Sequence, residues 1–134
     1  MSAELTWLTL TMVLAASLWI PFIIGVNATE SGAQVTEDGR ANIHGMVPWV
    51  QRANRAHLNL LEQAMPLAVL VLVAQAAAVT SAVTVTAVAA FFWLRVAHAM
   101  LMIWGRFTFP WRPILFTLGW LCPLALAVEI LRLA

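Results

Sequence analysis

The 134-residue sequence contains no tyrosine, no lysine and a single cysteine. With only Cys122 present, an internal disulfide is excluded and the redox compartment is left open. Charge is scarce: seven arginines and six acidic residues make up 10% of the chain, against roughly 25% in an ordinary soluble domain. The net charge of +1 gives no field that would gather nucleic acid or another polyanion. Hydrophobic residues account for 63%, far more than a disordered chain carries. These shortages exclude a basic nucleic-acid binder, a disordered segment and a typical soluble enzyme. They point to the membrane, and the length fits one domain spanning 1–134.

What is present is a set of long uncharged runs. Residues 5–26 hold no charge, and as a helix they extend about 33 Å, enough to cross a hydrocarbon core of ~30 Å. No basic residue precedes this run and no small-residue cleavage site closes it, so it reads as a membrane helix and not a signal peptide. Pro21 and Gly25 should kink or loosen its end. Residues 27–48 are polar and hold three of the six glycines, which marks a long loop; His44 lies there as a solvated side chain. Residues 63–94 form a second uncharged run. As one helix it would extend about 48 Å, well beyond a bilayer. It must therefore fold back, and Thr80 and Ser81 mark the turn within 79–82.

The expected helices are thus about 5–26, 49–78, 82–104 and 113–131, an all-α integral membrane bundle of four spans. A short loop over 105–112 carries interfacial aromatics, and Pro113 suits a first helical turn. Arginine placement sets the orientation. Arg40, Arg52, Arg55, Arg106 and Arg112 flank the first and third loops, whereas the termini offer only Arg132. Loops one and three are expected inside and both termini outside.

Polar residues within these helices are expensive, roughly 2.5–3.5 kcal/mol per charge at a helix centre, and draw functional attention. On the second helix Arg55, Asn59, Glu62 and Pro66 fall within about 60° of one another. Arg52 borders that stripe and His57 points away. On the third, Arg95 and His98 are three apart and share a face. The topology brings the two stripes together on the inner side, and Arg112 opens the fourth helix there. Glu62 could instead pair with Arg55 or Arg95 to fix packing, and Asn59 could join helices. As a site, guanidinium forks match carboxylates and a carboxylate matches an ammonium, so the set suits a small zwitterion or anion. No cluster has metal-ligand spacing, no phosphate-binding glycine loop is present, and Cys122 in apolar surroundings reads as an inert thiol.

The segment Arg52-Ala-Asn-Arg-Ala-His-Leu-Asn-Leu-Leu-Glu62, followed by Pro66, resembles the signature of the MAPEG superfamily, the membrane-associated proteins in eicosanoid and glutathione metabolism. Arg95-Val-Ala-His98 resembles its third helix, and Phe109-Pro-Trp-Arg112 the start of its fourth. The likeness covers most of the chain from Arg52 onward. It implies a four-helix bundle assembled as a homotrimer, with glutathione between neighbouring subunits near the cytosolic side. Arg55, Asn59 and Glu62 would belong to the glutathione site, with Glu62 near the ligand's amino group. Arg95, His98 and Arg112 would complete it, Arg112 matching the arginine that stabilises the thiolate.

The sequence also departs from that pattern. Family tyrosines on helices three and four correspond to Met102 and Phe116, and residues 20–30 bring no basic side chain. Leu58 takes a position that is often basic, and Pro113 one that is polar in some members. The leading expectation is a glutathione-dependent transferase or peroxidase that takes lipophilic electrophiles or lipid hydroperoxides from the bilayer. The alternative is a non-enzymatic trimeric membrane protein that uses the polar cluster for assembly or for an anionic ligand or lipid. A proton or ion path along Glu62, Arg95 and His98 ranks last. Helix one brings no ionisable group to it, and helix four only Glu129, near the outer end.

Overall fold

The computed structural model describes residues 1–28, 39–40, 42–105 and 108–134. Much of the loop expected over 27–48 lies outside the described residues, as does Arg106. Five helices account for most of the rest: α1 Ala3–Ser17, α2 Ile20–Ala28, α3 Pro48–Ala76, α4 Ala82–Trp104 and α5 Thr108–Leu133. A 3₁₀ turn at Ile43–Gly45 precedes α3, with Asn42 Oδ1 accepting from the Gly45 amide. No strand occurs among the described residues. Four stretches are long and apolar enough to cross a membrane: Ala3–Ala28, Pro48–Ala76, Ala82–Trp104 and Phe109–Leu133.

The first span is broken between Ser17 and Ile20. Pro21 explains the place: it has no amide hydrogen for the Ser17 carbonyl, and its ring crowds that carbonyl. Gly25, on the other side of the break, lets α2 lie close on α3, since a side chain there would overlap Val50 and Trp49. The fourth span begins earlier than Pro113. Phe109 is extended (φ −112°, ψ 133°), and regular helix follows from Pro110. Both prolines suit a first turn, and the chain uses the earlier one. Trp111 and Arg112 therefore stand on the first turn of α5, not in a loop.

The α3–α4 turn contains neither glycine nor proline. Ala78 adopts a left-handed conformation (φ 53°). The Val79 amide bonds the Ala74 carbonyl at 2.8 Å, and the Ala78 amide bonds that of Gln75 at 3.1 Å. This is a Schellman stop with alanine in the position that favours glycine. Ser81 then caps α4 through a box with Thr84. Because the left-handed conformation penalises a Cβ by roughly 1–2 kcal/mol, Ala78→Gly is expected to stabilise the protein by about 1 kcal/mol. A raised unfolding midpoint in detergent checks this.

A buried polar layer ties that turn to the chain ends. Glu4 is 1% exposed, and its Oε1 accepts from Thr80 Oγ1 at 2.6 Å and Thr84 Oγ1 at 2.7 Å. Ser81 Oγ donates to Glu129 Oε1 at 2.9 Å, and Arg132 stands 3.6 Å from Glu129. Helix one does bring an ionisable group inward, contrary to the sequence expectation; Glu4 precedes the apolar run but is drawn into α1. Between this layer and the opposite end runs an apolar core that includes Leu67, Val71, Val88, Phe91 and Leu126. α4 packs against α1, α3 and α5, and α2 rests on α3.

Candidate functional site

The end opposite the Glu4 layer holds Arg52, Arg55 and Arg112. Arg52 Nε donates to the Met102 carbonyl at 2.9 Å. Its guanidinium also occupies the space that a side chain at Gly105 would need, and Gly105 is left-handed (φ 75°). Arg52 thus caps the C-terminus of α4, where free carbonyls and the helix dipole favour a cation. It borders the polar stripe in sequence but serves as an inter-helix clamp.

Arg55, Asn59 and Glu62 share one face of α3, as their spacing implies. With Arg112, Pro113 and Phe116 of α5 they line one cavity of about 550 Å³, which Phe109 and Thr117 complete. That volume lies within the range of small-ligand pockets. Asn59 is buried, whereas Arg55, Glu62 and Arg112 are exposed. Among the described residues no ion pair engages Glu62, so its carboxylate is spent on neither Arg55 nor Arg95.

Arg95 and His98 do not line this cavity. Each is 1% exposed and neighbours the Phe116 ring. Arg95 Nη1 donates to Gln63 Oε1 at 2.6 Å. Arg95 Nη2 lies 3.4 Å from His98 Nδ1; a guanidinium can only donate, so Nδ1 accepts and Nε2 carries the imidazole proton. Gln63 Nε2 donates to the Phe116 carbonyl at 3.3 Å. The guanidinium carbon lies 5.9 Å from the Phe91 ring and 5.5 Å from that of Phe116, and the His98 and Phe116 ring centres are 6.0 Å apart.

The expected meeting of the Arg55–Asn59–Glu62 stripe with Arg95 and His98 is therefore indirect. Gln63 faces Arg95, one residue and about 100° around the helix from Glu62. Glu62 turns to the cavity instead. Gly119 leaves room for the pair: a Cβ there would lie 3.0 Å from Gln63 Oε1 and 3.3 Å from Arg95 Nη1. Reading by charge alone passes over Gln63 and Gly119. The available signal was an amide beside Glu62 within an uncharged run. Met102 is buried and Leu58 exposed; neither lines the cavity.

No group of three or more His, Cys, Asp or Glu side chains is placed to hold a metal ion among the described residues. Cys122 is buried, with Sγ 3.3 Å from the Leu118 carbonyl. It borders a separate apolar groove of about 450 Å³ between α4 and α5, beside Val83, Thr86 and Leu121.

Four apolar spans define a multi-pass integral membrane protein, with a cavity lined by charged and aromatic side chains at one end. A MAPEG family model matches residues 6–132, and the chain belongs to that family. No curated protein and no solved structure matches it.

Proposed function

We propose that this chain is a glutathione-dependent transferase or peroxidase that acts on lipophilic electrophiles or lipid hydroperoxides drawn from the bilayer. The observation that carries this reading is the cavity in which Arg55 and Arg112 stand around Glu62, which makes no ion pair among the described residues. Glutathione has two carboxylates, an ammonium and a thiol. Two guanidinium forks suit the anionic groups, Glu62 suits the ammonium, and Asn59 can both donate and accept. The residues present therefore fit the cosubstrate that the family implies.

Bound there, glutathione supplies a thiol nucleophile. Arg112 provides a positive charge that favours the thiolate over the thiol, whose free pKa is about 8.5. Glu62 and Arg55 orient the peptide, and the apolar surroundings keep water from the electrophile. Arg95 and His98, buried beside the Phe116 ring, form an inner layer of the same site. Exposed Arg55 and Glu62 on a membrane-spanning helix need cover from lipid. A second copy of the chain in a homotrimer supplies it, with the cavity on the cytoplasmic side and both termini outside.

Reduced glutathione is expected to bind the detergent-purified protein with micromolar-to-millimolar affinity by calorimetry, and Glu62→Gln should weaken binding about tenfold or more by removing the ammonium partner. No binding at several millimolar overturns the reading. The second reading is a non-enzymatic trimer that holds an anionic ligand or lipid. In its favour, Phe116 lines the cavity without a hydroxyl and Met102 is buried outside it.

A further inference from the structure

At the Glu4 end of the bundle, α4 and α5 part along an apolar groove of about 450 Å³. Ala82, Val83, Thr86 and Ala90 line it from α4, Leu121 and Ala125 from α5, and no charged side chain lines it. Both walls lie in membrane-spanning stretches. Ala82, Val83, Thr86, Leu121 and Ala125 are exposed, so the groove opens to the surroundings of the bundle. From residue 82 to residue 90 the α4 wall rises about 12 Å. That is most of the ~15 Å that one leaflet contributes to a hydrocarbon core of ~30 Å. Volume over length gives a mean cross-section of about 40 Å², whereas a helix about 10–12 Å across needs roughly twice that. The groove has the width of hydrocarbon chains and not of another span.

A cation stands over its mouth. Along α5, Ala125, Glu129 and Arg132 fall within about 60° of one another, and Arg132 lies about 10 Å beyond Ala125 toward the helix end. Ser81, the residue before Ala82, donates to Glu129 Oε1 at 2.9 Å, and Arg132 Nη1 lies 3.6 Å from Glu129 Oε2. Glu129 thus ties the start of α4 to Arg132 above the lining residues. The Arg132 side chain is 71% exposed. Its contact with Glu129 is longer than the ~2.7–2.9 Å of a charge-assisted hydrogen bond, so its donors remain available to an anion. No other arginine stands at this end of α4 or α5. Ser81 already caps the Val83 and Thr84 amides, so an anion here meets the guanidinium and not a bare helix terminus.

We propose that the α4–α5 groove is a phospholipid site, with an acyl chain along residues 82–90 and Ala125 and the phosphate on Arg132 at the membrane surface. The length of the groove matches one leaflet, and a guanidinium fork matches phosphate oxygens. Lipid tails are as apolar as the groove, so no hydrophobic force favours the bound chain over its neighbours in the bilayer. Preference for this lipid therefore comes from Arg132, and the alanine walls supply the room that lets the chain lie beneath it. The cavity holding Arg55, Glu62 and Arg112 is at the other end of the bundle, and the proposal does not depend on the glutathione reading.

Native mass spectrometry of the detergent-purified protein, titrated with phosphatidylglycerol or with diacylglycerol of the same chains, tests this. Phosphatidylglycerol should be retained about fivefold or more over diacylglycerol, and Arg132→Ala should bring it down to the diacylglycerol level. Ala125→Phe, at an exposed position, fills the groove and should lower retention of phosphatidylglycerol about fivefold or more with helix content unchanged by circular dichroism. Ala125→Leu replaces it if the larger ring disturbs folding. Phosphatidylglycerol carrying a diazirine on its acyl chain should crosslink chiefly to residues 82–90 and 118–125. Equal retention of the two lipids overturns the proposal. Crosslinks spread evenly over the four spans overturn it too, since they mark bulk lipid. If Ala125→Phe changes the oligomeric state and leaves lipid retention intact, a second copy of the chain covers the groove and the proposal falls.

Discussion

Arg112→Ala is expected to lower thiol-dependent turnover of an activated aryl halide by about 10²–10³-fold, the usual loss when one preorganised donor to a developing anion is removed. That corresponds to about 3–4 kcal/mol of barrier. The side chain is exposed, lines the cavity, and makes no hydrogen bond or ion pair among the described residues. Its loss should therefore leave helix content and unfolding midpoint unchanged, which separates chemistry from folding. Glutathione affinity should fall less than turnover does, because Arg55 and Glu62 remain. The sign of the pH effect follows from the thiol. Without the guanidinium its pKa returns toward about 8.5, so the variant should recover part of its rate as pH rises through that value. Arg112→Lys keeps the charge but loses the planar fork, and should fall between the two. Activity that survives Arg112→Ala undiminished removes this residue from the mechanism.

The apolar architecture was legible because the bilayer imposes lengths. The uncharged run over 63–94 could not be one span, and the turn at Ala77–Ser81 falls where that length required it. Periodicity also placed Arg55, Asn59 and Glu62 on one face, and they do share a cavity with Arg112. What the sequence did not disclose depends on neighbours in space. Arg52 lies next to the stripe but is captured by the carbonyl end of α4, a contact fixed by how two helices cross. Gln63 carries no charge, so a search for charged residues leaves it inside an apolar run; only the packing of α4 against α3 and α5 shows that it holds Arg95. Glu4 precedes the first uncharged run, and its burial arises from the Thr80 and Thr84 hydroxyls that meet it from the distant α3–α4 turn. The start of α5 was ambiguous because two prolines, Pro110 and Pro113, each satisfy the rule for a first turn.

Gln63→Leu is expected to destabilise the protein in detergent by about 2–4 kcal/mol, the range for leaving a buried charged group without its acceptor. Ordinary inter-helix hydrogen bonds in membranes are worth only about 0.6 kcal/mol on average, so the size of the loss is itself informative. The larger figure applies here because, among the described residues, Gln63 Oε1 is the only side-chain oxygen bonded to a guanidinium that is 1% exposed. The substitution also removes the bond from Gln63 to the Phe116 carbonyl. Adding Arg95→Leu should restore much of the loss, since replacing both members of a buried polar pair by apolar residues removes the unsatisfied charge along with its partner. The recovery should stop short of complete, because His98 Nδ1 then loses its donor. Thermal and denaturant midpoints of the two single variants and the double variant form the cycle that isolates this coupling. A Gln63→Leu loss below about 0.6 kcal/mol would reduce the pair to an ordinary membrane contact. A loss that Arg95→Leu fails to repair would assign the effect to lost packing at Gly119, not to the stranded charge. If the cycle shows the coupling, the chain keeps a cation in its core at a cost to stability that an apolar pair would avoid.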